Sequence, residues 1–469
     1  MSHPTNITVR DDQSYAKQQP TLTMARAMLN PINPETWSQR ETELSLEGFE
    51  VAVVGAGPAG SAAALTLARE GVQVLLVERG TFPGSKNVFG GRIYTYALKR
   101  LLGDQWRDAP VERFIRKEGI TFMTAESSFS IEYESKDPKG SFTAVRAKFD
   151  KWLAEQAEKT GASLVTDSRV DDLIVEGGHV TGIIAGQDKI PTDAVIACDG
   201  TTTSLARKAG LATMLEPEEV SMGMKDVIEL PADKIEERFG LEPEEGAAHV
   251  FVGECSGGLR GGGFLYTNKD SLALGMVVGA DDTSTKAVSS HAVMDKLRNH
   301  PKVRRFIRDG KTIEYDAHMI PEAGPKMLTR PYTGGMLVAG DAAGHLLNNG
   351  YTFRGVDMAI VSGIAAAQTI LEARKRKDYS AQSLRAYERK LREEPALKDM
   401  YTFSRVPRYL RNNRLYNVYP ELVCNAAEAI YRVDGNEKRK IYKELRAQTK
   451  GKVSTISLIR DLLAGARTF

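Results

Sequence analysis

Three glycines follow the spacing GxGxxG in the segment VAVVGAGPAGSAAALTLAREGVQVLLVERG, residues 51–80. They are Gly55, Gly57 and Gly60. In such a loop the first glycine permits a tight turn and the second lets the backbone approach a pyrophosphate. The third lets the following helix pack closely on the strand. The spacing therefore indicates a phosphate cradle for a dinucleotide.

The residues around these glycines complete a strand–turn–helix–strand unit. Pro58 and Ala59 would open the helix, whose N-terminal N–H groups face the anion. Glu78 ends the second apolar strand and Arg79 follows it, and a carboxylate at that place can accept hydrogen bonds from an adenosine ribose. Apolar runs on both strands are typical of a parallel sheet covered on both faces. We assign these four residues to the cofactor together with the glycines.

Composition narrows the classes of function. The 469 residues suffice for two or three structural units. The net charge of +2 gives no general reason to expect nucleic acid as a partner, and none is expected. The three cysteines, Cys198, Cys255 and Cys424, are too sparse for a disulfide scaffold, which fits a reducing compartment. They are also too few to hold an iron–sulfur cluster on this chain alone, and no metal site is predicted.

The sequence contains no apolar run of the roughly 18–20 residues that a membrane-spanning helix needs. The best candidate, VDMAIVSGIAAAQTIL after Gly355, carries Asp357 and is predicted to be a buried helix. The N-terminus lacks the apolar core of a secretory signal. We therefore expect a cytosolic chain, or one that rests on a membrane without crossing it.

Distant segments decide which dinucleotide is bound. Gly340 and Asp341 in GGMLVAGDAAG resemble the second FAD-binding motif of flavoprotein reductases and hydroxylases, in which the aspartate binds a ribityl hydroxyl. Asp199 and Gly200 in VIACDGTTTSLARKAGL resemble the third motif. Arg146 in VRAKFDKWLAE matches the arginine before the FAD-contacting helix of that family. The resemblance predicts FAD as the cofactor.

The same resemblance covers three further positions. The helix that begins near Gly355 and Val356 would point its positive end at the flavin pyrimidine, which favours negative charge there in the reduced state. Thr203 stands where relatives usually carry Ser.

The predicted fold class is α/β. It comprises a Rossmann-like FAD-binding domain of the glutathione reductase type, an inserted β-rich substrate or quinone domain, and a helical C-terminal region. The strand-to-turn pattern of residues 51–80 returns at GGMLVAGDAAG, which implies a discontinuous FAD-binding domain. The predicted divisions are an N-terminal arm or disordered tail (1–48), the FAD-binding domain (49–211 and 326–380), the inserted domain (212–325) and the basic helical region (381–469).

Two absences from the sequence limit the chemistry of the flavin. No second GxGxxG unit provides a separate nicotinamide domain, and no CxxxxC next to the first unit provides a redox disulfide. The flavin is therefore expected to exchange electrons with a substrate in the inserted domain or with a partner protein.

Two stretches resemble the FixC-type relatives of electron-transfer-flavoprotein:quinone oxidoreductase, and the resemblance covers roughly residues 48–435. They are GSKNVFGGRIYTYALKRLL, from Gly84, and LRGGGFLYTNKDSLALGMVVG, from Leu259. The longer segment GECSGGLRGGGFLYTNKDSLALGMVVG, which contains the second stretch, is expected to form two strands around a glycine-rich turn. The resemblance implies the following site residues: Gly90, Gly91 and Arg92 at the cofactor, and Gly261, Gly262 and Tyr266 at the quinone or substrate.

The family resemblance also implies partners. A FixC-type chain would act with the alpha and beta subunits of an electron-transfer flavoprotein, a small ferredoxin-like iron–sulfur subunit and a membrane quinone, either ubiquinone or menaquinone. The sequence does not say whether such an assembly bifurcates electrons. The basic segment NEKRKIYKELRAQTKGK is either a docking surface for an acidic partner or a solvated helix face.

Residues 400–422, MYTFSRVPRYLRNNRLYNVYPEL, interleave aromatic and cationic side chains. Such a segment suits a membrane interface or a protein interface, and ordinary packing is the third alternative. We expect a cytoplasmic chain that associates peripherally with the inner face of the cell membrane.

Three rival functions remain open on the sequence. A prenyl-lipid reductase of the geranylgeranyl reductase group shares the FAD architecture but would reduce alkene bonds as a single chain. A flavin hydroxylase is disfavoured, because nothing suggests a site for direct reduction by pyridine nucleotide. A non-catalytic interaction protein with an FAD fold would lack redox-active flavin. Neither Tyr266 nor His345 can be chosen as a proton donor from the sequence, so no general acid or base is assigned.

Overall fold

The computed structural model describes residues 48–86, 91–137 and 139–469. The predicted arm therefore lies outside the described residues except for residue 48, and so does Gly90. The strands are β1 (Val51–Val54), β2 (Val74–Val77), β3 (Gly91–Tyr94), β4 (Arg113–Met123), β5 (Ser128–Glu134), β6 (Ser141–Ala144), β7 (Ser163–Val165), β8 (Asp172–Glu176), β9 (His179–Ala185), β10 (Asp188–Pro191), β11 (Ala194–Ala197), β12 (Val220–Glu229), β13 (Glu245–Gly253), β14 (Gly261–Thr267), β15 (Ser271–Gly279), β16 (Lys311–Pro321), β17 (Tyr332–Thr333), β18 (Met336–Val338), β19 (Leu347–Asn348) and β20 (Phe353–Arg354).

The helices cluster most densely towards the C-terminus. In chain order they are α1 (Pro58–Arg69), α2 (Thr95–Leu102), α3 (Arg146–Lys159), α4 (Ser204–Lys208), α5 (Ala232–Phe239), α6 (Ala280–Thr285), α7 (Ser290–Asn299), α8 (Pro301–Ile307), α9 (Val356–Arg376), α10 (Ala381–Leu384), α11 (Ala386–Glu393), α12 (Pro395–Thr402), α13 (Val406–Leu410), α14 (Val418–Tyr431), α15 (Ile441–Thr449) and α16 (Thr455–Ala466). Short 3-10 turns join several of them.

The first sheet has the strand order β17-β18-β11-β1-β2-β7, and every pair except β17–β18 is parallel. β1, β2, β11 and β18 are buried along their whole length, as expected for strands covered on both faces. Helices α1 and α9 pack together beside this sheet. A methyl group on Gly363 of α9 would overlap the carbonyl oxygen of Ala59 in α1, so the two helices pack closely only because Gly363 has no side chain.

The second sheet has the order β16-β12-β15-β14-β13-β4-β6-β3, with β5 paired to β4. It combines strands from residues 91–144 with strands from 220–321, so it takes residues from both sides of the predicted boundary at 211/212. Helices α5, α7 and α8 cover one of its faces with a core of apolar side chains. A smaller sheet of β8, β9 and β10 adjoins the first sheet.

Helix α9 is the one helix in the described part of the chain that is long and apolar enough to cross a membrane. Of its most apolar stretch, 78% is buried inside the protein. It is the core helix that the sequence predicted.

Candidate functional site

The three cradle glycines differ in what surrounds them. A methyl group on Gly55, whose φ is +100°, would overlap the carbonyl oxygen of Cys198 on the neighbouring strand. A methyl group on Gly60 would overlap the carbonyl oxygen of Gly55, because α1 begins directly against the turn. A methyl group on Gly57 would meet no atom within 4 Å. Two glycines thus allow the turn to close, and the third leaves open space where a pyrophosphate can approach.

Glu78 fixes the turn from the end of β2. Its Oε2 accepts a hydrogen bond from the Ala56 N–H at 3.0 Å, and its Oε1 accepts one from the Gly80 N–H at 2.7 Å. Carboxylate oxygens have further lone pairs, so these bonds leave acceptors for ribose hydroxyls. Arg79 is exposed beside it. Pro58 and Ala59 occupy the first two positions of α1, as predicted.

Two neighbouring strands of the first sheet end in matching turns. Gly200 follows β11 and Gly340 follows β18, with φ of +71° and +69°. Thr203 has φ of +50°, which is unusual for a β-branched residue. Its hydroxyl donates a hydrogen bond to the Ala342 carbonyl at 3.3 Å and so ties the first turn to the second.

The aspartates of these two turns are partly buried. Burial raises the pKa of Asp199 and of Asp341 above the ordinary value. Asp199 Oδ2 accepts a hydrogen bond from the Leu205 N–H at 3.0 Å, and its buried Oδ1 has no partner within the described residues. Asp341 lies near the positive charge of Arg146. Buried carboxylate oxygens of this kind suit a ligand rich in hydroxyl groups.

Arg146 is the first residue of α3 and is held in place by that helix. Its Nε and Nη2 donate to the two carboxylate oxygens of Asp150, one turn later, at 2.7 and 2.8 Å. Asp150 is completely buried. Because both oxygens are engaged, the guanidinium has one orientation, with its charge directed towards Asp341.

Helix α9 begins at Val356, after Gly355 at its N-cap. The predicted positive end is therefore present, but its first turn also carries a buried carboxylate, Asp357. That carboxylate accepts hydrogen bonds from Arg354 Nη2 at 2.7 Å and from the Tyr96 hydroxyl at 2.8 Å. The arginine offsets the carboxylate charge, so the helix end keeps its positive character.

The glycine triplet lies in a strand, and the predicted glycine-rich turn is wrong. Gly261 opens β14, and the turn to β15 is made by residues 268–270. A methyl group on Gly261 would overlap the Val277 carbonyl oxygen, and one on Gly262 would lie 2.5 Å from the Phe251 carbonyl oxygen. The neighbouring strands leave no room for side chains at Gly261 and Gly262, and the Leu297 side chain of α7 fills the space beside Gly263.

Tyr266 lies on the face of the second sheet that is turned towards the first sheet. It interacts electrostatically with Arg92, Tyr94 and Glu118. The Arg92 Nη1 and Nη2 atoms each donate to Glu118 at 2.7 Å, and the guanidinium lies 4.7 Å from the centre of the Tyr94 ring. Burial raises the pKa of Tyr266, so its hydroxyl is protonated and can donate. Gly91 precedes Arg92 in β3, and a methyl group there would meet no atom within 4 Å.

His345 follows the Gly340 turn and is fully enclosed. Burial lowers its pKa to about 4, so the imidazole is neutral at pH 7. Its Nδ1 has no hydrogen-bond partner within the described residues. A neutral imidazole holds no extra proton to give, so the structure does not favour His345 as a proton donor.

Lys225 is a functional candidate that the sequence analysis missed. It lies in β12 and is 0% exposed, on the same face of the second sheet as Tyr266 and Phe264. Arg146 is one of the charged groups that act on it. The available signal was the pair Lys225–Asp226 inside the otherwise apolar run VSMGMKDVIEL, where a strand buried on both faces must place each charge against a partner.

Three polar side chains of residues 400–422 bind one residue of α16, Asp461. Arg414 donates to both carboxylate oxygens of Asp461 at 2.7 and 3.0 Å, and the Tyr419 hydroxyl donates to the same carboxylate. The Tyr409 hydroxyl donates to the Asp461 carbonyl at 3.2 Å. These contacts favour the packing alternative for much of the segment.

The site fits FAD. The open position at Gly57, the carboxylate at Glu78, the unpartnered Asp199 Oδ1 and the Arg146–Asp341 pair are spread along one edge of the first sheet, where open α/β sheets bind nucleotides. The second sheet turns Tyr266 and Lys225 towards the same side. A cofactor held by the first group would therefore lie between the two sheets.

Family models match most of the chain. The FAD binding domain model matches residues 48–347, and the model of the ETF-QO/FixC family C-terminal domain matches residues 406–469. The chain is 43% identical to Protein FixC of Escherichia coli strain K12 over 426 residues, which cover 90% of this chain and 99% of that protein. It is 40% identical over 427 residues to the probable electron transfer flavoprotein-quinone oxidoreductase YdiS of the same strain, with the same coverage of both chains.

Solved structures agree on the fold. A geranylgeranyl bacteriochlorophyll reductase-like protein of Thermoplasma acidophilum matches with a TM-score of 0.64 and 22% identity over 90% of this chain and 96% of that one. The flavin-dependent brominase Bmp2 matches with a TM-score of 0.59 and 17% identity over 90% and 94%. At these identities the likeness shows the architecture alone.

Proposed function

The chain belongs to the ETF-QO/FixC family of FAD-dependent oxidoreductases, and we propose that it passes electrons from an electron-transfer flavoprotein to a membrane quinone. The observation that carries the proposal is the 40% identity, over 90% of the chain, to a protein named as a probable electron transfer flavoprotein-quinone oxidoreductase. Bound FAD supplies a carrier that takes electrons from one partner and gives them to another. The acceptor is ubiquinone or menaquinone.

The face of the second sheet supports a quinone acceptor. A quinone head is a flat ring with two carbonyl acceptors. The Tyr266 hydroxyl and the Arg92 guanidinium can donate to such acceptors. The Phe264 ring, 5.4 Å from that of Tyr266 and 6.5 Å from that of Phe353, adds an apolar surface. Gly261 and Gly262 would contribute backbone beside this surface.

The proposed partners follow from what the chain lacks and from its family. All three cysteines are buried and unpaired, and no metal-binding group of three or more ligands occurs in the described residues. We assign the iron–sulfur cluster to a small ferredoxin-like subunit and the primary electrons to the alpha and beta subunits of an electron-transfer flavoprotein. The proposal does not depend on whether the assembly bifurcates electrons.

We place the chain in the cytoplasm, against the inner face of the cell membrane, with helix α16 at the membrane surface. One side of α16 exposes four apolar side chains: Ile456, Ile459, Leu462 and Leu463. Arg460 of the same helix and Arg467, which directly follows it, are exposed. Exposed apolar residues beside cations are typical of an interfacial helix that binds anionic lipid.

The quinone half of the proposal is tested with the purified, FAD-loaded chain. After photochemical reduction without oxygen, a short-chain quinone should reoxidise the flavin rapidly, and flavin absorbance reports the rate. Reduction of a geranylgeranyl lipid by the chain alone, with slow reoxidation by quinone, would instead establish the prenyl-lipid reductase. A chain that purifies without redox-active flavin would establish the interaction protein.

Membrane contact is tested with a matched pair of variants. Ile459 in α16 is 52% exposed and Ile313 in β16 is 50% exposed. Ile459→Asp should weaken flotation of the chain with anionic vesicles about tenfold or more, because it places a charge on the apolar side of the helix. Ile313→Asp should leave flotation unchanged. Equal binding by both variants and the unmodified chain would refute the assignment of α16.

A further inference from the structure

Lys225 occupies an unusual place for a lysine. Its Cα partners are Gly275 on one side and Asp316 on the other, so it lies inside the second sheet. Gly275 has no side chain, and the ring of Phe264 fills the space above it. The lysine is completely buried on the face that is turned towards the FAD-binding sheet.

Charged groups lead from Lys225 to the solvent along β16. Asp316 is its cross-strand partner, and Glu314 and His318 lie two residues to either side on the same face. Glu314 is exposed, while Asp316 and His318 are partly exposed. The His318 Nδ1 lies 3.9 Å from Asp316 Oδ2. His318 is opposite Gly223, so no side chain of β12 stands in its way.

Arg146 connects Lys225 to the cofactor site. It acts electrostatically on Lys225, on His318 and on Asp341. Lys225 therefore interacts both with titratable groups of β16 that reach water and with the arginine of the pair assigned to FAD.

The pKa of Lys225 lies close to neutral pH. Burial and, less strongly, Arg146 lower its pKa, Glu314 and Asp316 raise it, and the net result is a pKa of about 7. Burial also lowers the pKa of His318, which Asp316 raises and which Arg146 and Lys225 lower. Asp226, its neighbour in sequence, lies on the opposite face and pairs with Arg298. Added negative charge on the FAD side would thus favour protonation of the amine.

We propose that Lys225 is the proton-exchanging group of the FAD chamber. Its Nζ takes a proton from water, through His318, when electrons enter the chamber, and returns that proton by the same route when they leave. The exchange compensates charge and needs no co-reactant other than water. This proposal rests on the electron-transfer function but not on the identity of the donor or of the quinone.

The first test counts protons. The FAD-loaded chain is reduced photochemically in weakly buffered solution near pH 7.5 with an indicator dye, so neither partner nor quinone is needed. The unmodified chain should take up more protons per electron pair, by up to one, than Lys225→Met. Lys225→Arg should resemble Lys225→Met, because arginine stays charged throughout. Lys189→Met, which removes an exposed lysine of β10, is the control and should match the unmodified chain.

The second test measures stability. A lysine with a lowered pKa binds fewer protons folded than unfolded between its folded value, about 7, and its unfolded value, about 10.4. The unmodified chain should therefore gain stability as pH rises through this window, relative to Lys225→Met. Thermal melts of the two FAD-loaded chains from pH 6 to 10 give the difference in Tm.

These outcomes test the role of Lys225 independently of the proposed electron transfer to a quinone. Equal proton counts in the unmodified chain and Lys225→Met, or restoration of the count by arginine, would overturn it. A Tm difference that does not change with pH would overturn it as well. Slow reoxidation by quinone with the predicted proton counts would overturn the proposed acceptor and leave Lys225 in its role.

Discussion

Two groups of three glycines, one in the turn and helix that follow β1 and one in strand β14, have different structural roles. In the cradle, Gly55 and Gly60 are confined by backbone atoms while a side chain on Gly57 would enter open space. In β14, the positions of all three missing side chains are taken by the sheet itself or by its core, including the Phe251 carbonyl beside Gly262 and the Leu297 side chain 2.9 Å from the position of a Gly263 methyl group. Glycine content alone therefore does not mark a ligand site. The informative property is whether the space left by the absent side chain is open.

This difference alters how β14 should be probed. On sequence grounds, Gly262→Leu would be expected to slow quinone reoxidation while leaving FAD content near normal. In the structure, any side chain at Gly262 meets the backbone of β13, so the substitution would disturb the sheet before it reported on a quinone. Substitutions at Gly60, Gly262 and Gly57 separate the packing glycines from the ligand-facing one, and a substitution at Thr203 tests the neighbouring turns.

Gly60→Val should have the largest effect. Its side chain would overlap the Gly55 carbonyl and press on the Val53 side chain, and the Gly55 carbonyl cannot move without opening the cradle. We expect a loss of about 3 kcal/mol in the free energy of unfolding and a chain that purifies almost without FAD. Chemical denaturation and flavin content measure the two effects. A stable, fully loaded variant would show that α1 does not close on the turn as described.

Gly262→Ala should cost about 1–3 kcal/mol of stability, because a methyl group 2.5 Å from the Phe251 oxygen forces β13 and β14 apart. Its FAD affinity, measured on folded protein, should stay within about twofold of the unmodified chain. A normal denaturation midpoint together with weakened FAD binding would contradict the comparison, since it would make Gly262 the ligand-facing glycine.

Gly57→Ala should show the opposite pattern. Its φ of −76° suits any residue, and nothing obstructs a methyl group, so stability without FAD should change by less than about 1 kcal/mol. FAD affinity should fall about tenfold, which corresponds to about 1.4 kcal/mol. Fluorescence titration of the cofactor-free chain with FAD measures it. Unchanged affinity would mean that the pyrophosphate does not approach this residue.

Thr203→Ser should have the smallest effect. Serine keeps the hydroxyl that donates to Ala342 and removes the methyl branch that disfavours φ of +50°. Stability and FAD affinity should both stay within about 0.5 kcal/mol of the unmodified values. Thr203→Val, which keeps the branch and loses the hydroxyl, should cost about 1 kcal/mol by denaturation. If Thr203→Val left the free energy of unfolding unchanged, the hydrogen bond between the two turns would contribute nothing to stability.

The sequence predicted the first sheet well because its signals are local. GxGxxG lies between apolar runs of the right length, and the structure has β1, α1 and β2 there. The FAD assignment and the family membership are confirmed. The helix at 146–159 has Phe149, Leu153 and Ala157 buried, as their spacing indicated. The domain boundaries and the roles of individual site residues stay predictions.

The second sheet was harder to predict because its partners are distant in sequence. The triplet at 261–263 has the composition of a turn, and only its neighbours Phe251 and Val277 show that it is a strand. The Lys225–Asp226 pair in an apolar run indicates buried charge, but the face on which Lys225 is buried follows from the pairing of β12 with β15 and β16. Residues 400–422 have an interfacial composition, but Asp461 in α16 binds several of their polar groups. Each of these features depends on a contact that no local pattern encodes.

The most direct test measures which electron donor reduces the flavin of this chain. The FAD-loaded chain is mixed without oxygen either with a reduced two-subunit electron-transfer flavoprotein or with NADPH, and the absorbance of its flavin is followed. We predict that the flavoprotein reduces the chain and that NADPH alone does not. Rapid reduction by NADPH with no partner present would contradict the account.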